Sequence, residues 1–101
     1  MELQDLGGGF TRRGIAWNEQ LMPTDMTFKA VTEVHLHSHP HIQCMYILAG
    51  RFRYTVDSET AEVGAGDSVV VPGGATYGMI FITESGKTVE MFTPVRQDFL
   101  K

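Results

Sequence analysis

Hydrophobic and polar residues alternate along most of the chain in short runs separated by turn-forming residues. "FTRRGIAWN" reads as a first strand, with Gly14 marking a bulge, and "LMPTDMTFKAV" as a second strand following Pro23. "EVHLHSH" is a third, broken by Pro40, and "IQCMYIL" is a fourth. From there the punctuation is regular. The strands "FRYTV", "AEV", "SVVV", "TYGMIFI" and "TVEMF" are separated by "AGR", "DSET", "GAGD", "PGG" and "TESGK". Only "PVRQDFLK" at the end hints at helix. Many short, evenly spaced strands predict an all-β sandwich or barrel in a single domain spanning residues 1–101. Residues 1–8, polar and then glycine-rich, are expected to be flexible.

One strand departs from simple alternation. In "QCMYIL" Met45 and Ile47 fall on one face and Cys44, Tyr46 and Leu48 on the other, so both faces are apolar. Such a strand belongs between a barrel interior and a second packed layer, either the chain's other sheet or another subunit. A homodimer is the expectation. A chain of 101 residues buries a limited core alone, which also favours help from a partner or a metal.

Composition narrows the function. The net charge is −4 and no Lys/Arg cluster is present, which argues against nucleic-acid binding. No apolar stretch approaches the roughly 20 residues of a membrane-spanning helix, and the opening "MELQDLGGG" lacks the pattern of a signal peptide. Cys44 is the single cysteine, so no internal disulfide forms. A cytoplasmic protein acting on a small molecule is the expectation.

The chemistry concentrates in "VHLHSHPHIQC", where His35, His37, His39 and His41 occupy alternate positions. On an extended strand His35, His37 and His39 share one face, with His37 and His39 roughly 6.6 Å apart along it. Pro40 supplies a turn, after which Gln43 begins a returning strand able to face the same site. Imidazole suits zinc, copper, iron and nickel alike. The competing reading is a polar barrel lining that holds no ion.

"HSHPHIQCMYILAG" resembles the first cupin motif: the pair His37 and His39, then Gln43, then Gly50. "GDSVVVPGGATY" resembles the second, with Gly66, Pro72 and Gly74 at the expected spacing. The resemblance implies a small jelly-roll β-barrel of the RmlC-like cupin type with a divalent metal in its interior, zinc, nickel, iron or manganese. It implies His37, His39 and Gln43 as ligands. The fourth ligand of the second motif is normally a histidine, and here that position is Tyr77. Three readings of Tyr77 stay open: a phenolate ligand, a catalytic acid/base or hydrogen-bond donor beside a water-occupied position, or the mark of a site without metal. His35 and His41 are expected in structural or supporting roles.

A narrower resemblance links "FTRRGIAWNEQLM" and "TVEMFTPVRQDFLK" to small cupins of the pectin-degradation type, a group that includes proteins linearising unsaturated uronates. Phe92 and Arg96 match that group's spacing, Glu90 replaces its aspartate, and Met45 replaces a glutamine. The resemblance implies Glu90 as an acid/base and Arg96 as a partner for a substrate carboxylate, in an isomerase- or lyase-like reaction on a carboxylated sugar or keto acid. A cupin that binds a small ligand without turnover is the alternative. A metal-dependent dioxygenase ranks third, because Gln43 stands where the 2-His-1-carboxylate iron pattern needs a carboxylate. Arg12 and Arg13 are read as solvated charges protecting an edge strand, and Trp17 as a packing or dimer contact.

Overall fold

The computed structural model describes residues 3–30 and 33–100. Met1, Glu2 and Lys101, and Val31 at the end of the expected second strand, lie outside the described residues. Ten strands follow in order: β1 (Gln4–Gly7), β2 (Phe10–Gly14), β3 (Met22–Lys29), β4 (Glu33–His37), β5 (Ile42–Ala49), β6 (Arg51–Val56), β7 (Glu59–Gly64), β8 (Ser68–Val71), β9 (Tyr77–Phe81) and β10 (Ser85–Thr93). A single-turn 3-10 helix, Gln97–Leu100, ends the described chain. One sheet has the order β1-β2-β3-β10-β5-β8 and the other β4-β9-β6-β7. Every pairing is antiparallel. The expected all-β class and single small domain of cupin type are what the chain forms. No helix among the described residues is long and apolar enough to cross a membrane.

The core lies between the sheets and follows the alternation. On β5, Gln43, Met45 and Ile47 point inward while Ile42, Tyr46 and Leu48 remain exposed. Phe28, Phe52 and Phe81 pack as a trio, with centroid separations of 5.3, 4.1 and 5.6 Å. A smaller cluster of Met22, Phe92, Val95 and Phe99 fastens the C-terminal tail to one end of the barrel. That anchorage places Arg96 at the barrel mouth.

Within the segment expected to be flexible, Gln4–Gly7 form β1, paired with β2 through a glycine-rich turn. Two local expectations are corrected. Gly14 ends β2 opposite Thr24, and the β2–β3 pairing runs without a bulge. Finally, β10 begins at Ser85, inside the expected turn "TESGK". It lies between β3 and β5, and ladder bonds on both sides override the turn preference of Ser-Gly.

A bulge that matters to function sits in β4. Val34 pairs with Met79 and His37 with Tyr77, so His35 and Leu36 together oppose Gly78. Gly78 makes room for it, since a Cβ there would lie 2.8 Å from the Val34 carbonyl oxygen. The extra residue resets the alternation, so Val34 and His37 both point inward. His35 does not share the face of His37. Its side chain is 88% exposed and lies 3.8 Å from Glu33.

Candidate functional site

The site is the open end of the barrel, a cavity of about 240 Å³. His37, His39, Gln43, Tyr77, Glu90, Phe92 and Arg96 all line it, so every residue singled out from the sequence for metal binding or catalysis meets here. Four strands and the C-terminal tail deliver them. The bulged β4 and the turn after it carry the histidines, β5 carries Gln43, β9 carries Tyr77, β10 carries Glu90 and Phe92, and the tail after β10 carries Arg96. The register holds them level: Tyr77 opposite His37, and Gln43 opposite Phe92.

The turn bearing His39 is fixed by the glycine-rich turn between β8 and β9. Gly74 N donates to the His39 carbonyl at 2.8 Å. Gly73 allows the approach, since a Cβ there would fall 2.5 Å from the Pro40 carbonyl oxygen. The two sequence motifs are therefore halves of one support. Each imidazole is also held by its own backbone: His37 Nδ1 lies 2.9 Å from the His35 carbonyl oxygen, and His39 Nδ1 lies 2.9 Å from that of His41. A ring that donates from Nδ1 to a carbonyl keeps a bare lone pair on Nε2, the tautomer that metal-binding histidines use.

Gln43 is fully buried and joins three side chains. Its Nε2 donates to Glu90 Oε1 and, at 3.4 Å, to the Tyr77 hydroxyl. Its Oε1 therefore turns toward His39 Nε2, 2.9 Å away. Two lone pairs facing each other at that distance call for a cation between or beside them, either a proton on His39 or a metal. The ring centres of His37 and His39 are 6.0 Å apart. Two imidazoles sharing an ion at about 2.1 Å have centres roughly 4.5–6.4 Å apart. Among the described residues no three of His, Cys, Asp and Glu stand close enough to hold an ion. The donors available are thus two imidazoles and one amide oxygen, neutral ligands that fit a divalent ion with open positions.

Tyr77 is 5% exposed, with its ring 4.7 Å from that of His37. Burial, reinforced by the Glu90 carboxylate, pushes its pKa well above the ordinary phenol value. Without a metal its hydroxyl is neutral. Glu90 is as deeply placed, and burial raises its pKa even though Thr88 and Gln43 both donate to it. Thr88 Oγ1 reaches Glu90 Oε2 at 2.8 Å, and Thr24 Oγ1 donates to the Glu90 backbone carbonyl at 2.9 Å. His41 turns its Nδ1 into a buried position without a partner, and burial with the nearby Arg96 charge lowers its pKa.

At the mouth, Arg96 donates from Nε and Nη2 to Asp98 at 3.0 and 2.8 Å, which holds the Asp98 carboxyl below its ordinary pKa. Its guanidinium lies 4.2 Å from the centre of the Phe99 ring and 5.1 Å from that of Phe92. Arg12 also lines the cavity. Reading it as an edge charge was mistaken on two counts: β1, not β2, is the edge, and Arg12 shares the inward face of Phe10. Arg13 is the exposed member of the pair. The alternation Phe10, Arg12, Gly14 carried that signal. Thr24 and Thr88, which hold Glu90 in place, were also missed, since nothing in their immediate sequence marks them.

A match to known proteins follows the same residues. The family model described as Cupin domain (Cupin_2) matches residues 24–93, from within β3 to the end of β10. This chain belongs to the Cupin_2 family. The cupin is 29% identical over 99 residues to pectin degradation protein KdgF of Dickeya dadantii (strain 3937), covering 96% of this chain and 89% of that one. Its fold superposes on an RmlC-like cupin from Shewanella frigidimarina NCIMB 400 with a TM-score of 0.89 and 35% identity, over 97% of this chain and 87% of the other. It superposes on KdgF from a Halomonas species with a TM-score of 0.90 and 25% identity, over 98% and 93%.

Proposed function

We propose that this cupin is a metal-dependent enzyme that isomerises a small carboxylated sugar, in the manner of proteins that linearise unsaturated uronates. The observation that carries the reading is the chain His39–Gln43–Glu90. It ties a candidate metal ligand to a fully buried carboxyl with a raised pKa in a cavity that also presents arginine. A carboxyl whose pKa burial raises holds its proton more tightly than an ordinary carboxylate, which suits it to give and take one. The likeness to KdgF proteins supports the same substrate class.

In this reading His37, His39 and Gln43 hold a divalent ion, zinc, nickel, iron or manganese, which when bound polarises an oxygen of the sugar. Glu90 takes the proton of the anomeric hydroxyl. The ring carbon–oxygen bond breaks, leaving an aldehyde and an enolate. Protonation of the adjacent carbon then yields the ketone, with no net change in composition. Tyr77 stays neutral and donates a hydrogen bond at the position left open by the missing histidine. Phe92 walls the cavity, and Arg96 offers a substrate carboxylate the guanidinium edge that Asp98 leaves free. We place the reaction in the cytoplasm, where the unpaired Cys44 stays reduced.

The homodimer belongs to the same reading. Ile42, Tyr46, Leu48 and Val70 leave 42–61% of their surface exposed on the outer face of the six-stranded sheet. The second apolar face of β5 is therefore not covered by this chain's own sheets, and a second copy is the proposed cover.

The first test is metal content of untagged protein, with His37→Ala as control, followed by loss of conjugated double-bond absorbance with an unsaturated uronate. One metal per chain, lost in the variant, together with substrate loss, supports the enzyme. Metal without turnover favours the ligand-binding alternative, to which Tyr77 in place of a fourth histidine already lends weight. Oxygen consumption would point to the dioxygenase reading. No metal after incubation with zinc, nickel, iron and manganese ends the proposal.

A further inference from the structure

Two arginines converge on the mouth of the cavity, and among the described residues only one has an acidic partner. Arg96 is matched by Asp98. Arg12 donates from Nε and Nη2 to Gln4 Oε1 at 3.1 and 2.9 Å, and that acceptor is neutral. Among the described residues no carboxylate lies within ion-pairing distance of Arg12. Its guanidinium carbon sits 3.4 Å from the centre of the Phe99 ring, the ring that also carries Arg96 at 4.2 Å. The two guanidinium carbons are therefore no farther apart than the sum of those distances.

This placement is unfavourable by itself. Arg12 is partly buried, and its pKa is lowered by that burial and by the charge of Arg96. The Asp98 and Glu90 charges offset part of this, but Asp98 pairs with Arg96 and Glu90 with Gln43 and Thr88, so an anion at the mouth would complete the group. The donor geometry is specific as well. Both guanidiniums spend the Nε/Nη2 edge on a protein acceptor, and both keep the Nη1/Nη2 end free. At 3.4 and 4.2 Å from the centre of one ring, the two guanidiniums flank Phe99 and present two separate cationic ends at the mouth.

We propose that Arg12 is an anion-selecting residue of this cavity, presenting to a carboxylated ligand a charge of its own beside that of Arg96. This rests on the reading of the cavity as a site for a small carboxylated ligand, and it assigns the charge selectivity to β2 rather than to the C-terminal tail alone. Gln4 is the positioning residue: its neutral amide fixes the guanidinium without neutralising it. Phe99 is the platform on which both cations rest.

The test compares D-galacturonate with D-galactose, the same ring with and without the carboxylate, by calorimetric titration of metal-loaded protein. Wild type, Arg12→Gln and Gln4→Glu are the proteins. Wild type should prefer the charged sugar at least tenfold, and the preference should weaken with salt. Arg12→Gln should lose most of it, the affinity for galacturonate falling far more than that for galactose. Gln4→Glu should lose it too, because the new carboxylate occupies Arg12, while melting no lower than wild type. A purely structural Arg12 predicts the reverse for Gln4→Glu, a firmer clasp with selectivity intact, and that result overturns the proposal. So does a wild-type protein with no preference for the charged sugar. Turnover of unsaturated uronate is measured separately: its absence with an Arg12-dependent preference preserved sinks the enzyme reading and keeps the anion selectivity of Arg12.

Discussion

Replacing Glu90 with glutamine removes one charge and leaves the shape of the site unchanged. Glu90 is 5% exposed, and its two carboxylate oxygens accept hydrogen bonds from the neutral donors Gln43 Nε2 and Thr88 Oγ1. In the Glu90→Gln variant the amide oxygen still accepts from Gln43, and the new NH2 donates to the Thr88 hydroxyl, which turns to accept. Burying a carboxylate costs an effective several kcal/mol, and hydrogen bonds to a charged group return about 1.5–3 kcal/mol each. The two terms nearly cancel, and the raised pKa shows that burial wins, leaving ionised Glu90 to destabilise the metal-free fold by on the order of 1 kcal/mol. At pH 8 the metal-free variant should therefore melt roughly 4–8 °C above wild type.

The pH dependence follows the same sign. Burial raises the folded-state pKa of Glu90 above its ordinary value of 4.5, so the folded protein holds this proton more tightly than the unfolded chain does. The resulting stability is fully present below the ordinary value and is lost as pH rises through the folded pKa. Wild type should lose stability across that window and Glu90→Gln should not, so the two melting curves meet in acid and separate toward neutrality. The assay is thermal unfolding of chelator-treated protein from pH 4 to pH 8. With metal restored, the same variant should bind uronate and lose about 100- to 10,000-fold in turnover, the contribution of a positioned acid/base. A variant less stable than wild type at pH 8 would mean that the ionised carboxylate is favoured where it sits, and the case for Glu90 as a proton carrier would fail.

Three further outcomes are expected. Tyr77→His places a third imidazole where the tyrosine ring lies 4.7 Å from His37 and 6.3 Å from His39, and should tighten metal binding about tenfold or more in competition with a chelator; unchanged affinity would place the ion away from β9. Tyr46→Lys with Val70→Lys charges the exposed face of the six-stranded sheet, and should convert a dimer to a monomer in light scattering without a change in circular dichroism; a dimer that survives uses another surface. Phe52→Ala empties the position between Phe28 and Phe81, and should cost about 3–5 kcal/mol in denaturant unfolding; a loss below 1 kcal/mol would mean the aromatic trio does not organise the core.

The strand pattern was legible because side-chain alternation and turn chemistry are local, and both survived in most elements. The same alternation placed Glu90 beside Phe92 and turned Gln43 inward with Met45, and the cavity has all of them where the strand period puts them. What escaped was set by partners distant in sequence. His35 left the site because β4 bulges against β9 at Gly78, and nothing within "EVHLHSH" says which partner it will meet. β1 formed because β2 offered an edge, which removed the edge role expected of Arg12. These misses bear on chemistry as well as on fold. A bulge-free β4 would have aimed His35 and His37 together, and Val34 could not then have joined the core beside His37. By spending one extra residue, β4 keeps an apolar wall and a single imidazole on the inner face. His39 on the following turn is then the second ring, held from behind by Gly74, and Gln43 is left to link it to the carboxyl of Glu90.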